Sequence, residues 1–184
     1  GFAWLDACNR KPKAELLRLA DYERSMVIKM VEVNTRIFGM IAIEEDKIIR
    51  FDHGILGFPD LKDFTLIFNE EKGADSSIKW LQSLQEPAFA MPVMNPDLVI
   101  PGYSPNFAAD LLKPLGDNLD GENILMFVTV TVPKDITKTT VNLKAPIIIS
   151  IENRKAVQLI SDDDGYSVKH AIYDEIMAQK TVQA

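Results

Sequence analysis

Apolar positions along this chain come in short runs separated by polar steps, and their spacing is that of strands. Met26 opens VIKMVEV, a first strand-like run. Residues 37–43 are apolar throughout, Glu44-Glu45-Asp46 is a polar step, and residues 47–51 return as KIIRF; the spacing predicts a hairpin, although the stronger Asn-Gly or Asp-Gly signal is missing. Residues 64–68, 78–84 and 88–91 follow at short intervals. Residues 124–132 alternate most cleanly, with Met126, Val128, Val130 and Val132 on one face and Thr129 and Thr131 on the other. The stretch KTTVNLKAPIIISI (138–151) sets a polar lead-in before a β-branched run far shorter than the roughly 20 residues that span a membrane. It reads as a structured corner, shaped by Thr139, Thr140, Asn142 and Pro146, feeding a buried strand.

Two stretches break the strand pattern. Pro92, Pro96, Pro101 and Pro105 mark a segment that suits neither a central strand nor a continuous helix. Residues 104–112 then read as a helix with Ser104 as cap and Pro105 at the first position. Residues 167–177 read as a second helix, on which Val168, Ile172 and Ile176 form one docking stripe. Residues 1–25 differ from the rest: they are expected to be a dispensable N-terminal extension, with a helix at 13–22, ahead of a domain over 26–184. The fold class is mainly β, a compact β-barrel-like single domain with peripheral short helices.

Composition acts here by exclusion. Twenty basic against 27 acidic residues leave a net charge of −7, which argues against direct nucleic-acid binding, since phosphate contacts need a basic face. The same charge suits a basic protein partner. A single cysteine, Cys8, permits no intramolecular disulfide and fits a reducing compartment. No secretory leader and no membrane-spanning run is recognisable, so a cytoplasmic location without membrane attachment is expected. Catalytic patterns are missing as well. His53 and His170 lack ligand-like spacing, and Asp162-Asp163-Asp164-Gly165 lacks the rest of a calcium loop. Gly54-Ile55-Leu56-Gly57 is no phosphate loop. The expectation is a protein that is not an enzyme and carries no metal or cofactor.

Four segments resemble one family when taken in order: FDHGILGF (51–58), WLQSL (80–84) with PAF (87–89), VMNP (93–96) and TVNLKAPI (140–147). Together they are similar to the flagellar assembly factor FliW family, from about Met30 to about His170. Asp52 stands where a proline is expected in the family's F-P-x-G pattern, and Ser150 where asparagine is usual. The resemblance implies a β-barrel-like domain that binds two proteins in the cytoplasm: flagellin, and CsrA, the carbon storage regulator that represses translation. Flagellin occupies the factor until it is exported; the freed factor then binds CsrA and lifts repression. A small-molecule-binding β-barrel is the alternative, distinguished by a large apolar pocket in place of a packed interior.

Candidate contacts follow from that reading. Gly54 and Gly57 serve a tight turn, and Ile55, Leu56 and Phe58 on it are either core or an exposed anchor for flagellin. Gln82 and Asn95 either satisfy buried backbone or face a partner peptide. Asn142 shapes the corner, with a partner contact as the other reading. Asp162, Asp163 and Asp164, with Asp174 and Glu175, are either solvated surface or the field that meets basic CsrA.

Overall fold

A computed structural model describes residues 29–68, 77–117 and 119–182. The expected extension over 1–25, its helix at 13–22 and the first residues of the 26–184 domain lie outside them. The described fold is mainly β. Strands β1 (Met30–Thr35) and β2 (Gly39–Glu44) form an antiparallel hairpin of their own. This corrects the hairpin expected between 37–43 and 47–51. Thr35 Oγ1 accepts from the Phe38 N–H and donates to the Gly39 carbonyl, both at 2.9 Å, and Gly39 sits at φ +69°, so a side-chain-braced turn folds β2 back onto β1. After a 3-10 turn at Glu45–Lys47 the chain leaves that sheet altogether.

Strand β3 (Ile49–Phe51) enters a closed barrel with β4 (Asp63–Ile67), β5 (Ile78–Ser83), β6 (Ala90–Met94), β7 (Ile124–Thr131), β9 (Ile147–Ser150) and β10 (Lys155–Gln158). The order runs β7-β6-β5-β4-β3-β10-β9, and β9 closes onto β7. Among the described strands only β3 and β10 pair in parallel. Two short strands, β8 (Thr140–Val141) and β11 (His170–Ala171), continue the sheet beyond β7.

Alternation along β7 divides the core in two. Phe127 points into the barrel with Phe51, Phe64, Leu81, Val93, Ile147 and Ile149. Val128 and Val130 pack on the opposite face with Met94, Tyr103, Leu143 and Ile172. Burying each such side chain contributes roughly 1.5–3 kcal/mol. The apolar stripe read from the sequence therefore serves the outer cluster, and Val132, past the end of the strand, is exposed.

Three further expectations change. Pro92 lies inside β6, opposite Trp80. It is tolerated because β7 reaches β6 only at Val93 and Met94, so no ladder bond to β7 is needed at Pro92. The first helix, α1, covers only Ala109–Leu112, because the backbone of Ser104 and Asn106 is tied to the loop at 162–166. The second, α2, is Tyr173–Val182. Residues 167–169 make a turn that leads into β11, which leaves Val168 exposed and only Ile172 and Ile176 in the outer cluster.

Candidate functional site

The tight turn after β3 presents its side chains to opposite sides. The Phe58 N–H donates to the Ile55 carbonyl at 2.9 Å and the Ile55 N–H to the Phe58 carbonyl at 3.3 Å, with Leu56 and Gly57 at the tip. Gly57 adopts φ +85° and Gly54 φ +68°. A Cβ at Gly54 would lie 2.5 Å from the Pro59 carbonyl oxygen, so the path admits only glycine. Ile55 belongs to the barrel core at 4% exposure, which removes it from the expected anchor. Leu56 and Phe58 point outward, at 48% and 47%.

Phe58 is the outermost ring of a series that ends in the core. Its ring meets Phe89 edge-on at 4.6 Å; Phe89 meets Phe64 at 6.2 Å, and Phe64 meets Phe51 at 5.2 Å. A half-exposed aromatic braced in this way loses little side-chain freedom on meeting a partner. Asp52 pairs with Lys155 Nζ at 2.8 Å, and that bond holds its carboxyl below the usual range.

The corner at 142–146 adjoins this turn. Between the pairs Val130–Val141 and Phe127–Ile147, β7 advances by three residues while its partner advances by six. The corner is thus a three-residue excursion within one long pairing partner of β7. Asn142 Oδ1 accepts from the N–H groups of Lys144 and Ala145, both at 3.1 Å. The Leu143 carbonyl accepts from the Tyr103 hydroxyl, whose ionisation is pushed up chiefly by burial. The Ala145 carbonyl accepts from Gln158 Nε2 at 3.2 Å, and Gln158 Oε1 accepts from the Leu56 N–H at 3.0 Å. Gln158 therefore joins the corner to the turn. Asn142 acts as a brace within the corner.

On the corner's other side, Lys144 Nζ donates to the Asp163 carbonyl at 2.6 Å. The Asp163 carboxylate accepts from the Asn106 N–H at 2.7 Å, from Asn106 Nδ2 at 2.8 Å and from Ser161 Oγ at 2.9 Å. The Asn106 backbone bond, then its side chain, hold the Asp163 carboxyl below the usual range. Asp163 is a loop brace, whereas Asp162 and Asp164 stand in solvent. Asp174 and Glu175 lie in the first turn of α2, where negative charge suits the helix dipole.

The remaining candidates separate. Gln82 is 0% exposed, and its Nε2 donates to the carbonyls of Ser83, Pro87 and Phe89. The β1–β2 hairpin meets the same place, since the Arg36 N–H donates to that Pro87 carbonyl and Phe38 touches Trp80. Gln82 is a buried brace out of a partner's reach. Asn95 is exposed, and its Oδ1 accepts from the Asp97 N–H at 3.0 Å, capping the 3-10 turn at Pro96–Leu98. Sequence reasoning missed Gln158 and Tyr103; a lone glutamine and a lone tyrosine carry no local signal.

Among the described residues no group of three or more His, Cys, Asp or Glu is placed to hold a metal, and no helix is long and apolar enough to cross a membrane. A shallow groove of about 220 Å³ beside the turn is lined by His53, Gly54, Leu111 and Leu159, among others.

Comparison with known proteins agrees along the described chain. Residues 32–172 match the family model described as FliW protein. The flagellar assembly factor FliW of Lachnospira eligens is 49% identical over 144 residues, 78% of this chain and 95% of the relative. That of Lachnoclostridium phytofermentans is 46% identical over 143 residues, 78% of this chain and 91% of the relative. A crystal structure of the flagellar assembly factor FliW superposes with a TM-score of 0.70 at 29% identity, covering 78% of this chain and 97% of that one.

Proposed function

The chain belongs to the FliW family, and from that premise we propose that it serves flagellar assembly in the cytoplasm by binding two proteins in turn, flagellin and the translational repressor CsrA. The family match over 32–172 carries the reading. The partner exchange needs no catalysis: whichever partner is in excess relative to its affinity holds the protein, and export of flagellin releases it for CsrA.

The Leu56–Phe58 turn is proposed as the flagellin anchor. It offers two outward apolar side chains on a backbone that Gly54, Gln158 and the Phe89–Phe64–Phe51 series hold in place. Asp162 and Asp164 are proposed as part of the field that attracts the basic repressor. The barrel interior is filled by its own side chains, which favours protein binding over the small-molecule alternative.

Pull-down with purified flagellin and CsrA, separately and in competition, tests the exchange. Phe58→Ala tests the anchor. The variant should melt cooperatively and lose flagellin affinity by about 30-fold, the effect of removing an interface hot spot. Undiminished binding by a folded Phe58→Ala protein removes the turn from the interface. Failure of wild-type protein to capture either partner removes the exchange itself.

A further inference from the structure

The barrel is closed by strand order but not along its whole height. The β6–β7 ladder consists of two pairs, Val93–Thr129 and Met94–Val128. Continued by two residues, that register would set Pro96 against Met126. Pro96 has no N–H to give, and its carbonyl is already taken by the N–H groups of Val99 and Ile100 in the 3-10 turn. The ladder therefore stops one step above Met126, and residues 124–127 of β7 pair with β9 alone.

Hydrogen bonds elsewhere on β7 fix which of its groups are left. The Thr129 carbonyl accepts from Asn142, on the β8 side, and the Asn123 carbonyl accepts from Ile151, on the β9 side. Odd-numbered residues of β7 thus turn their amides toward β8 and β9, and even-numbered ones toward β6. The N–H and C=O groups of Ile124 and Met126 face the side where β6 has ended, and among the described residues no backbone or side-chain group bonds them there. A groove of about 300 Å³ lies along this edge, with residues 124–127 as one wall and Asn95, Pro96 and Asp97 among the residues opposite. Half-exposed Leu125 lies in it. Beside the neutral Asn95 and Tyr103, the charged group in the wall is Asp97, and Asp120 and Glu122 flank lining Gly121 in the turn that leads into β7.

We infer that this free edge of β7 accepts an extended segment of a partner protein as an added strand, and that the segment alternates apolar residues with lysine or arginine. Main-chain bonds to Ile124 and Met126 supply the attachment, and the acidic rim selects the basic side chains. The site is separate from the Leu56–Phe58 turn and does not depend on which proteins the family binds.

A synthetic peptide of alternating lysine and valine, with blocked ends, is the probe, and amide hydrogen exchange and amide chemical shifts of the full chain are the readouts. Binding should slow exchange and shift resonances at Ile124 and Met126. N-methylation of alternate peptide nitrogens, which removes the donors and leaves the charge, should weaken binding about tenfold or more. Glu122→Lys should weaken it at low salt while leaving melting unchanged. An alternating glutamate–valine peptide should not bind. Three results overturn the inference: no change at Ile124 and Met126 with the lysine–valine peptide; binding indifferent to N-methylation; or protection of those amides in the free protein that dilution removes, which assigns the edge to a second copy of the chain.

Discussion

The Leu56 N–H donates to Gln158 Oε1 over 3.0 Å, across 102 positions of sequence, and positions the outward apolar turn relative to the barrel wall. The same side chain donates to Ala145, so one amide couples the turn to the corner. Gln158→Leu keeps the size of the side chain and removes both bonds. Water can replace the acceptor at the exposed Leu56 N–H, so stability should fall by only about 0.5–1.5 kcal/mol. Flagellin affinity should fall further than that stability change implies, because the turn loses its fixed position. Denaturant titration and equilibrium binding on the same preparation check both halves; a variant with wild-type affinity would show that the turn is held without Gln158.

Gly54 and Gly57 both have positive φ but differ in their surroundings. Alanine at Gly57 meets no atom within 4 Å, and only the backbone preference opposes it. Alanine at Gly54 meets the Pro59 and Phe58 carbonyl oxygens at 2.5 and 2.6 Å, and backbone cannot yield as a side-chain tip can. Gly57→Ala should cost about 1 kcal/mol. Gly54→Ala should cost more than the roughly 1–3 kcal/mol of a strained conformation alone, because a clash is added. Chemical denaturation of the two variants ranks them, and equal costs would contradict the close approach at Gly54.

Asp163 predicts an acid-sensitive loop. Bonds from Asn106 and Ser161 favour its charged form, so its folded pKa lies below the unfolded value of about 3.9. The stabilisation is therefore complete above the unfolded pKa and is lost as pH falls through the lower, folded one. Asp163→Asn keeps the shape and removes the titration. Its melting temperature should be lower than wild type at neutral pH, and the gap should narrow below about pH 4. Thermal melts from pH 7 to pH 3 read this directly, and a gap that widens with acidity would reverse the assignment.

The legible parts of the fold were those in which local pattern and tertiary role coincide. Strand β7 shows its alternation because each of its faces has its own apolar cluster. The corner at Asn142 was readable because asparagine and proline act locally. Strand β10, KAVQ, was missed because four residues with polar ends give no period, and its place is set by pairing with β3 and β9. The β2–β3 hairpin was misread because Glu44-Glu45-Asp46 resembles a turn, while Thr35 and Gly39 make the turn that is used. The sequence leaves Gln82 open between satisfying buried backbone and facing a partner, and the structure takes the first. Its burial depends on Pro87, Phe89 and the β1–β2 hairpin, none of which its own neighbours in sequence announce.

The acidic loop separates charge that braces from charge that is free to steer. Asp163 is committed to Asn106 and Ser161, whereas Asp162 and Asp164 are exposed, the latter 3.9 Å from Lys144. Replacing all three would confuse loss of the loop with loss of the field, so the informative variant is Asp162→Lys with Asp164→Lys and Asp163 untouched. Rim charges act mainly on the encounter, while buried anchors govern escape. Association with CsrA should therefore slow, about tenfold at low salt, with dissociation nearly unchanged. Added salt should slow wild-type association toward the variant's rate, because screening sets in over about 8 Å at physiological ionic strength. Flagellin, whose proposed anchor is Leu56 and Phe58, should respond less. Stopped-flow association at two salt concentrations separates these outcomes, and identical low-salt rates for the double variant and wild type would take Asp162 and Asp164 out of the steering field.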